Sequence, residues 1–198
     1  HESDASSGLT GKLHAAVRAG DAATAEAVME GLREAGVRPS VVVYGALIGM
    51  CARAGDVAGA ERWLEELSSS PSERPNVICM NMVISACAKG GELAKAEGWL
   101  ARMPAMGIEP DVMSYNAVID ACARAGSVER AEAWLGRMRP AGCRPSAVSY
   151  GSVLHACARA GDADRAEAWL RRMPAEGAEP NAICYNAAVH ACSQAGDF

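Results

Sequence analysis

Apolar positions along the chain follow two helical patterns in alternation, and no stretch alternates like a strand. From residue 112, Val118, Ile119 and Cys122 fall on one helical face that ends at Ala125-Gly126. Glycine suits the left-handed conformation just past a helix C-terminus. In the stretch that follows, Val128, Ala131, Trp134, Leu135 and Met138 are spaced by 3, 3, 1 and 3 residues and form one apolar stripe. Ser127 opens that stretch, as Asp21, Asp56, Glu92 and Asp162 open its counterparts elsewhere. Asp and Ser are good N-caps, and an acid suits a helix N-terminus in any case. Pro140, with Pro104 and Pro174 in equivalent places, ends the second stretch, because proline lacks an N–H and its ring clashes with the preceding turn. A short loop such as 141–146 leads on. The pattern predicts a helical hairpin.

The hairpin recurs. Pro39, Pro75, Pro110, Pro145 and Pro180 are 36, 35, 35 and 35 residues apart, and Gly20, Gly55, Gly91, Gly126, Gly161 and Gly196 keep the same beat. Trp63, Trp99, Trp134 and Trp169 do so as well. Units start just after the residue that follows each proline: a tail 1–5, a degenerate repeat 6–40, repeats 41–76, 77–111, 112–146 and 147–181, and a partial repeat 182–198 holding a first helix only. Ser6, Ser7 and Gly8 make a poor helix start, hence the degenerate reading of the first unit. One hairpin cannot bury its own stripe, but stacked neighbours can, which predicts an all-α solenoid with a concave binding surface. The longest apolar run, about Val41 to Ala52, falls short of the ~20 residues that span a bilayer. A chain that opens at His1 is expected to be a fragment or processed product, and no targeting segment is visible in it.

The units resemble pentatricopeptide repeats over about 6–198. The resemblance is carried by the ~35-residue period, the Tyr-Asn or Tyr-Gly opening, the Ala-Gly hinge and the Ala-Glu-x-Trp-Leu-x-x-Met second helix. The closing Gly-x-x-Pro-(Asp/Asn/Ser) completes it. Val112-Met113-Ser114-Tyr115-Asn116-Ala117-Val118-Ile119 and Gly107-Ile108-Glu109-Pro110-Asp111 are representative. The competing solenoid is the tetratricopeptide repeat, a scaffold that would bind a peptide in the same groove. It wants a Trp and a Leu-Gly pair in the first helix, whereas every Trp here lies in the second. The resemblance implies a right-handed α-solenoid superhelix that binds single-stranded RNA, about one base per repeat. It further implies a role in organellar RNA processing, stability, editing or translation in a mitochondrion or plastid, with protein partners for that work.

In the family the fifth residue of the first helix and the last residue of the unit approach the base edge, and the second residue packs on the base faces. The implied base-reading pairs are Thr10 with Ser40, Gly45 with Asn76, Asn81 with Asp111, Asn116 with Ser146, and Gly151 with Asn181; Asn186 stands alone. Asn81 with Asp111 resembles the uracil pair, and Asn116 with Ser146 the cytosine pair. Thr10 leans toward a purine, the two glycine units read any base, and Asn186 leans toward a pyrimidine. The implied register is purine, any, U, C, any, pyrimidine, 5′ to 3′. Val42, Ile78, Met113, Val148 and Ile183 take the stacking role, and their period argues against incidental surface aliphatics. Arg18, Arg53, Lys89, Arg124 and Arg159 lie eight residues after each base-reading position, two helical turns along, and are candidate phosphate contacts. The plainer role for a cation near a helix C-terminus is to complement the dipole.

Charge enters here. The net charge is −5, from 19 basic and 24 acidic residues, which at face value disfavours a polyanion. The six first helices, however, carry Lys12 and the five phase-keeping cations against Asp120 alone, a net of +5, while 13 basic and 23 acidic residues elsewhere leave −10.

Catalytic and cofactor chemistry finds no support. Cys51, Cys87, Cys122, Cys157 and Cys192 recur at one core position per unit. Stacked helices sit at ~9–10 Å, beyond the ~7 Å limit for a disulfide. With Cys79, Cys143 and Cys184, none of them forms a Cys-x-x-Cys, so neither metal nor cofactor is expected. His14, His155 and His190 are isolated, and the deaminase signature is missing. Glu26, Glu61, Glu97, Glu132 and Glu167 read as a solvated stripe on the second helices. The expectation is a binding protein, not an enzyme.

Overall fold

The computed structural model describes residues 2–196, with side-chain surroundings from residue 8; His1 of the expected tail and residues 197–198 of the partial repeat lie outside it. Its α-helices are α1 (Glu2–Ala19), α2 (Ala22–Glu34), α3 (Val41–Ala54), α4 (Val57–Ser68), α5 (Val77–Gly90) and α6 (Leu93–Arg102). They continue as α7 (Val112–Arg124), α8 (Val128–Met138), α9 (Ala147–Ala160), α10 (Ala163–Arg172) and α11 (Ala182–Ala195). Odd-numbered helices are the first helices of units and even-numbered ones the second. The α-solenoid expected from the repeat is the fold observed. One boundary differs: α1 starts at Glu2 and takes in residues 2–5, which the sequence pattern leaves as a tail.

Local chemistry sets the hairpins. Gly126 and Gly161 take φ of +67° and +66° at the turn between first and second helix, where any side chain would be strained. Asp21, Asp56 and Asp162 cap the next helix by accepting the N–H of Thr24, Gly59 and Arg165, each at 3.0 Å. Glu92 and Ser127 occupy the same place without a side-chain cap bond. Pro104 and Pro174 end α6 and α10 by opening a 3-10 turn, over Pro104–Met106 and Pro174–Glu176.

First helices pack on one another along the array, α3 on α5, α5 on α7, α7 on α9 and α9 on α11. Second helices pack on the first helix of their own unit, and α4, α6, α8 and α10 also on that of the next. The core is therefore continuous. Ile48, Ile84, Ile119 and Leu154 are buried, as are Cys51, Cys87, Cys122 and Cys157 one turn on. Burial pushes the Cys122 and Cys157 thiols up to about 12. Tyr44, Tyr115 and Tyr150 tilt against Trp63, Trp134 and Trp169 of their own hairpins, with ring centroids 6.5, 6.3 and 5.9 Å apart.

Three of the five glutamates correct the sequence reading, while Glu26 and Glu167 are exposed as expected. Glu61, Glu97 and Glu132 accept the indole N–H of Trp99, Trp134 and Trp169 in the following unit, at 3.0, 2.8 and 2.7 Å. Lys95 and Arg130, also of the following unit, pair with Glu61 and Glu97. Arg102, Arg137 and Arg172 lie over the same three indole rings. These glutamates latch one hairpin to the next. A per-unit pattern cannot show this, because both partners keep the same period and their contact crosses the unit boundary.

Candidate nucleic-acid interface

With first helices stacked side by side, the second residues of the units form a row. Val42, Ile78, Met113, Val148 and Ile183 are all exposed, between 58% and 69%. Each sits in the first turn of an odd helix, where its neighbours at the third and fourth positions turn into the core, except Tyr185 on α11. Tyr185 and Val189 are the other large apolar residues exposed on α11; their counterparts Tyr150 and Leu154 are buried under α10 and its flanks.

Between consecutive members of the row lie the positions to which the resemblance assigns base reading. The last residue of a unit is also the N-cap of the next first helix, so the two roles share one side chain. Asn76 and Asn181 accept the N–H of Cys79 and Cys184 at 3.0 and 3.1 Å, which leaves their amide N–H groups to face outward contacts. Asp111 accepts the N–H of Ser114 at 2.8 Å and the amide of Asn81 at 3.1 Å, both on Oδ1. Burial would push the Asp111 carboxyl up, but the Ser114 N–H, the Asn81 amide and the Ser114 hydroxyl hold it below the usual range. It is a carboxylate at neutral pH. Asn116 is buried, and its Oδ1 is a buried acceptor without a partner among the described residues. Ser146 is exposed and its N–H donates to Ser149 Oγ at 3.1 Å. Ser40 is exposed and makes no side-chain cap bond; Thr10 is half-buried and Asn186 exposed.

The two glycine units are open where the asparagine units are filled. A cavity of ≈590 Å³ is lined by Val42, Gly45, Asn76, Ile78 and Cys79, with Arg53 at its edge. Its counterpart of ≈160 Å³ is lined by Val148, Gly151, Asn181 and Ile183, together with Asp120 and His155. Each opening thus sits between two members of the apolar row.

The five cations divide. Arg53 donates to the carbonyl oxygen of Val17 at 2.9 Å and so ties α3 to the end of α1. Arg124 pairs with Asp120 at 2.8 Å. Arg18, Lys89 and Arg159 are exposed at the same helix ends. His14, His155 and His190 are exposed on first helices. Among the described residues no group of three or more His, Cys, Asp or Glu side chains is disposed to hold a metal ion, and no helix is long and apolar enough to cross a membrane.

In the units from residue 41 on, the third residue is Val43, Cys79, Ser114, Ser149 and Cys184 in turn. Ser114 and Ser149 are wholly buried beside the capping positions. Serine stands there after an asparagine unit and cysteine after a glycine unit.

Family models account for nearly all of this architecture. The PPR repeat family matches residues 75–124 and 110–159, the pentatricopeptide repeat domain matches 9–54 and 146–195, and a further PPR repeat model matches 42–70. The chain belongs to the pentatricopeptide repeat family. Among solved structures it is similar to the pentatricopeptide repeat protein PPR10 from maize, at 24% identity and a TM-score of 0.83, over 96% of this chain and 27% of that one. PPR10 in complex with an 18-nt psaJ RNA element is similar at 23% identity and a TM-score of 0.79, over 96% of this chain and 28% of that one. The PPR domain of Arabidopsis thaliana protein-only RNase P 1 in complex with tRNA matches at 19% identity and a TM-score of 0.70, over 93% of this chain and 97% of that one. This chain spans about a quarter of the length of PPR10. No curated protein sequence matches it.

Proposed function

We propose that the chain binds single-stranded RNA, about one base per repeat, with the bases of the four units from 41 to 181 held between consecutive members of the row Val42, Ile78, Met113, Val148 and Ile183. The observation that carries this is the row itself: five apolar side chains, one per unit, in phase and exposed. Exposed apolar platforms alternating with polar edge-readers, with cations farther along, are what an unpaired strand requires. PPR10 and the PPR domain of protein-only RNase P 1, both of this fold, are described in complex with RNA.

Base preference follows from hydrogen-bond character. The Asp111 carboxylate can only accept, which suits the N3–H of uracil and opposes the N3 lone pair of cytosine. Ser146 donates as well as accepts, which suits cytosine. The unpartnered Oδ1 of Asn116 awaits a donor such as an exocyclic amine. The reading is therefore a U-C step over the units 77–111 and 112–146, flanked by less selective positions, in the order purine, any, U, C, any, pyrimidine. The isolated histidines point to binding without catalysis of its own. On the family resemblance we extend the proposal to organellar transcripts in a mitochondrion or plastid, bound for processing, stability, editing or translation by recruited partners.

Selection from a randomised RNA pool tests the reading. Enrichment of a U-C dinucleotide is expected. Binding without that enrichment overturns the register, and an absence of RNA binding favours a scaffold holding a peptide in the same groove.

A further inference from the structure

We propose that Ser114, the third residue of its unit, is a positioning residue for Asn81, the base reader of the unit before it, so that Ser114 holds Asn81 in its reading orientation and specificity at that slot is written in three residues. The inference rests on the RNA reading above. Three side chains meet across the boundary between the units 77–111 and 112–146. Ser114 Oγ lies 2.6 Å from Asn81 Oδ1 and 2.9 Å from Asp111 Oδ1, and it accepts the N–H of Asp111 at 3.1 Å. Asn81 Nδ2 donates to Asp111 Oδ1 at 3.1 Å.

The orientation of the amide follows from valence. An ionised carboxylate offers no proton, so the nitrogen end of Asn81 must face Asp111. The oxygen end then faces Ser114, whose single hydroxyl proton is within reach of both Asn81 Oδ1, over the shortest of these contacts, and Asp111 Oδ1. Ser114 is wholly buried, so that proton has no water to turn to. A serine needed only as a cap would have to accept from Asp111 N–H and nothing more. Here it does both. When Asp111 turns to a base, it releases Asn81 Nδ2, and the Ser114 hydroxyl is the bond that still fixes which end of the amide meets the base.

The glycine units support the pairing from the other side. A Cβ built on Gly45 would meet only Cys79 Sγ, at 3.9 Å, and one on Gly151 would meet Cys184 Sγ at 3.9 Å and Ile183 Cγ2 at 4.0 Å. Where the base reader has no side chain to hold, the third residue of the next unit is a cysteine, a weak donor. Where it has an amide, that residue is a serine, although Ser149 leaves Asn116 Oδ1 unpartnered. Both slots therefore have room for an asparagine, and both lack the hydroxyl that would orient it.

The test measures the ratio of Kd values for RNAs that differ at a single base, with a thermal melt recorded on each variant. Ser114→Ala is expected to cut U-over-C discrimination at the Asn81 slot about fivefold, the worth of one hydrogen bond, and to leave discrimination at the Asn116 slot unchanged. Gly45→Asn together with Cys79→Ser is expected to create pyrimidine preference at the slot of unit 41–76, about fivefold stronger than Gly45→Asn alone creates. This second arm decides the matter if Ser114→Ala fails to fold. Equal weakening at both slots would reduce Ser114 to a helix cap and overturn the inference, as would a Gly45→Asn variant indifferent to Cys79→Ser. Failure of the wild-type chain to bind RNA would instead overturn the RNA reading, and this inference with it.

Discussion

At the scale of single residues, the last position of a unit caps a helix and, in the RNA reading proposed above, also reads a base. Asp111 caps α7, as Asn76 and Asn181 cap α5 and α11. A substitution there must satisfy the cap to be read as a change in specificity. Ser146→Asp meets that condition, because Asp is as good an N-cap as Ser. It places an acceptor-only group beside Asn116, copying the arrangement of Asn81 with Asp111. Preference at that base should move from C toward U by about tenfold, within the ~1–3 kcal/mol that a good edge contact discriminates. Kd values for two RNAs that differ only there check it, and unchanged preference would mean that the unit boundaries are misplaced. Cysteines give a second residue-scale prediction. Thiols pushed up to about 12 at Cys122 and Cys157 are thiolate about a thousandfold less often than an ordinary cysteine near pH 8.5. Cys192 is only half-buried. Alkylation of the folded chain at pH 7.5, followed by mass spectrometry, should label Cys192 first and reach Cys122 and Cys157 only on unfolding.

At the scale of elements, hairpins are joined twice, by the apolar faces of first helices and by the Trp–Glu–Arg latch between second helices. Glu97 makes the fullest latch described: it accepts from Trp134 at 2.8 Å and from Arg130 Nε at 2.9 Å, with its side chain 18% exposed. Glu97→Ala leaves the indole N–H half-buried without an acceptor and should cost about 1–3 kcal/mol in a urea melt. Glu97→Gln keeps an acceptor for Trp134 and loses mainly its charge toward an exposed arginine, so it should cost under about 1 kcal/mol. Burial would push the Glu97 carboxyl up, yet Arg130 and Trp134 hold it below its ordinary value. Its charge therefore contributes stability in full above the unfolded pKa of about 4.3 and loses it as pH falls through the lower folded value. The gap between wild type and Glu97→Gln should close over that acid range, and a constant gap would mean that the carboxylate adds nothing. These latches also mark where the sequence was legible. Val118, Ile119 and Cys122 declared their buried face because burial within one helix has a 3.6-residue period. The tryptophans and glutamates declared their period but not their partnership, since an i to i+37 contact depends on how hairpins stack. The row from Val42 to Ile183 could be read as sites only through the family resemblance, and Ser114 not at all, because its partner belongs to another unit.

At the scale of the whole molecule, a net charge of −5 is an average over unlike surfaces. First helices supply cations to the face with the apolar row, while acids dominate elsewhere. Counting those cations overstates the attraction. Arg53 is occupied by the carbonyl oxygen of Val17 and Arg124 by Asp120, which of the five phase-keeping cations leaves Arg18, Lys89 and Arg159 to release counterions without first breaking one of these bonds. For single strands the slope of log K against log salt is about −0.7 per phosphate neutralised, so three contacts predict a slope of about −2 and all five about −3.5. Asp120 sharpens the distinction. Asp120→Asn frees Arg124 and removes the one acid on the first helices from α3 to α11, so the slope should steepen by about 0.7 and affinity at low salt should rise. Lys89→Gln should flatten it by the same amount. Titrations of one RNA across a salt series distinguish these cases. A wild-type slope near −3.5 would mean that the RNA displaces the internal partners of Arg53 and Arg124. A slope near zero would place the strand away from the basic helix ends, against the direction in which the apolar row and the cations share their helices.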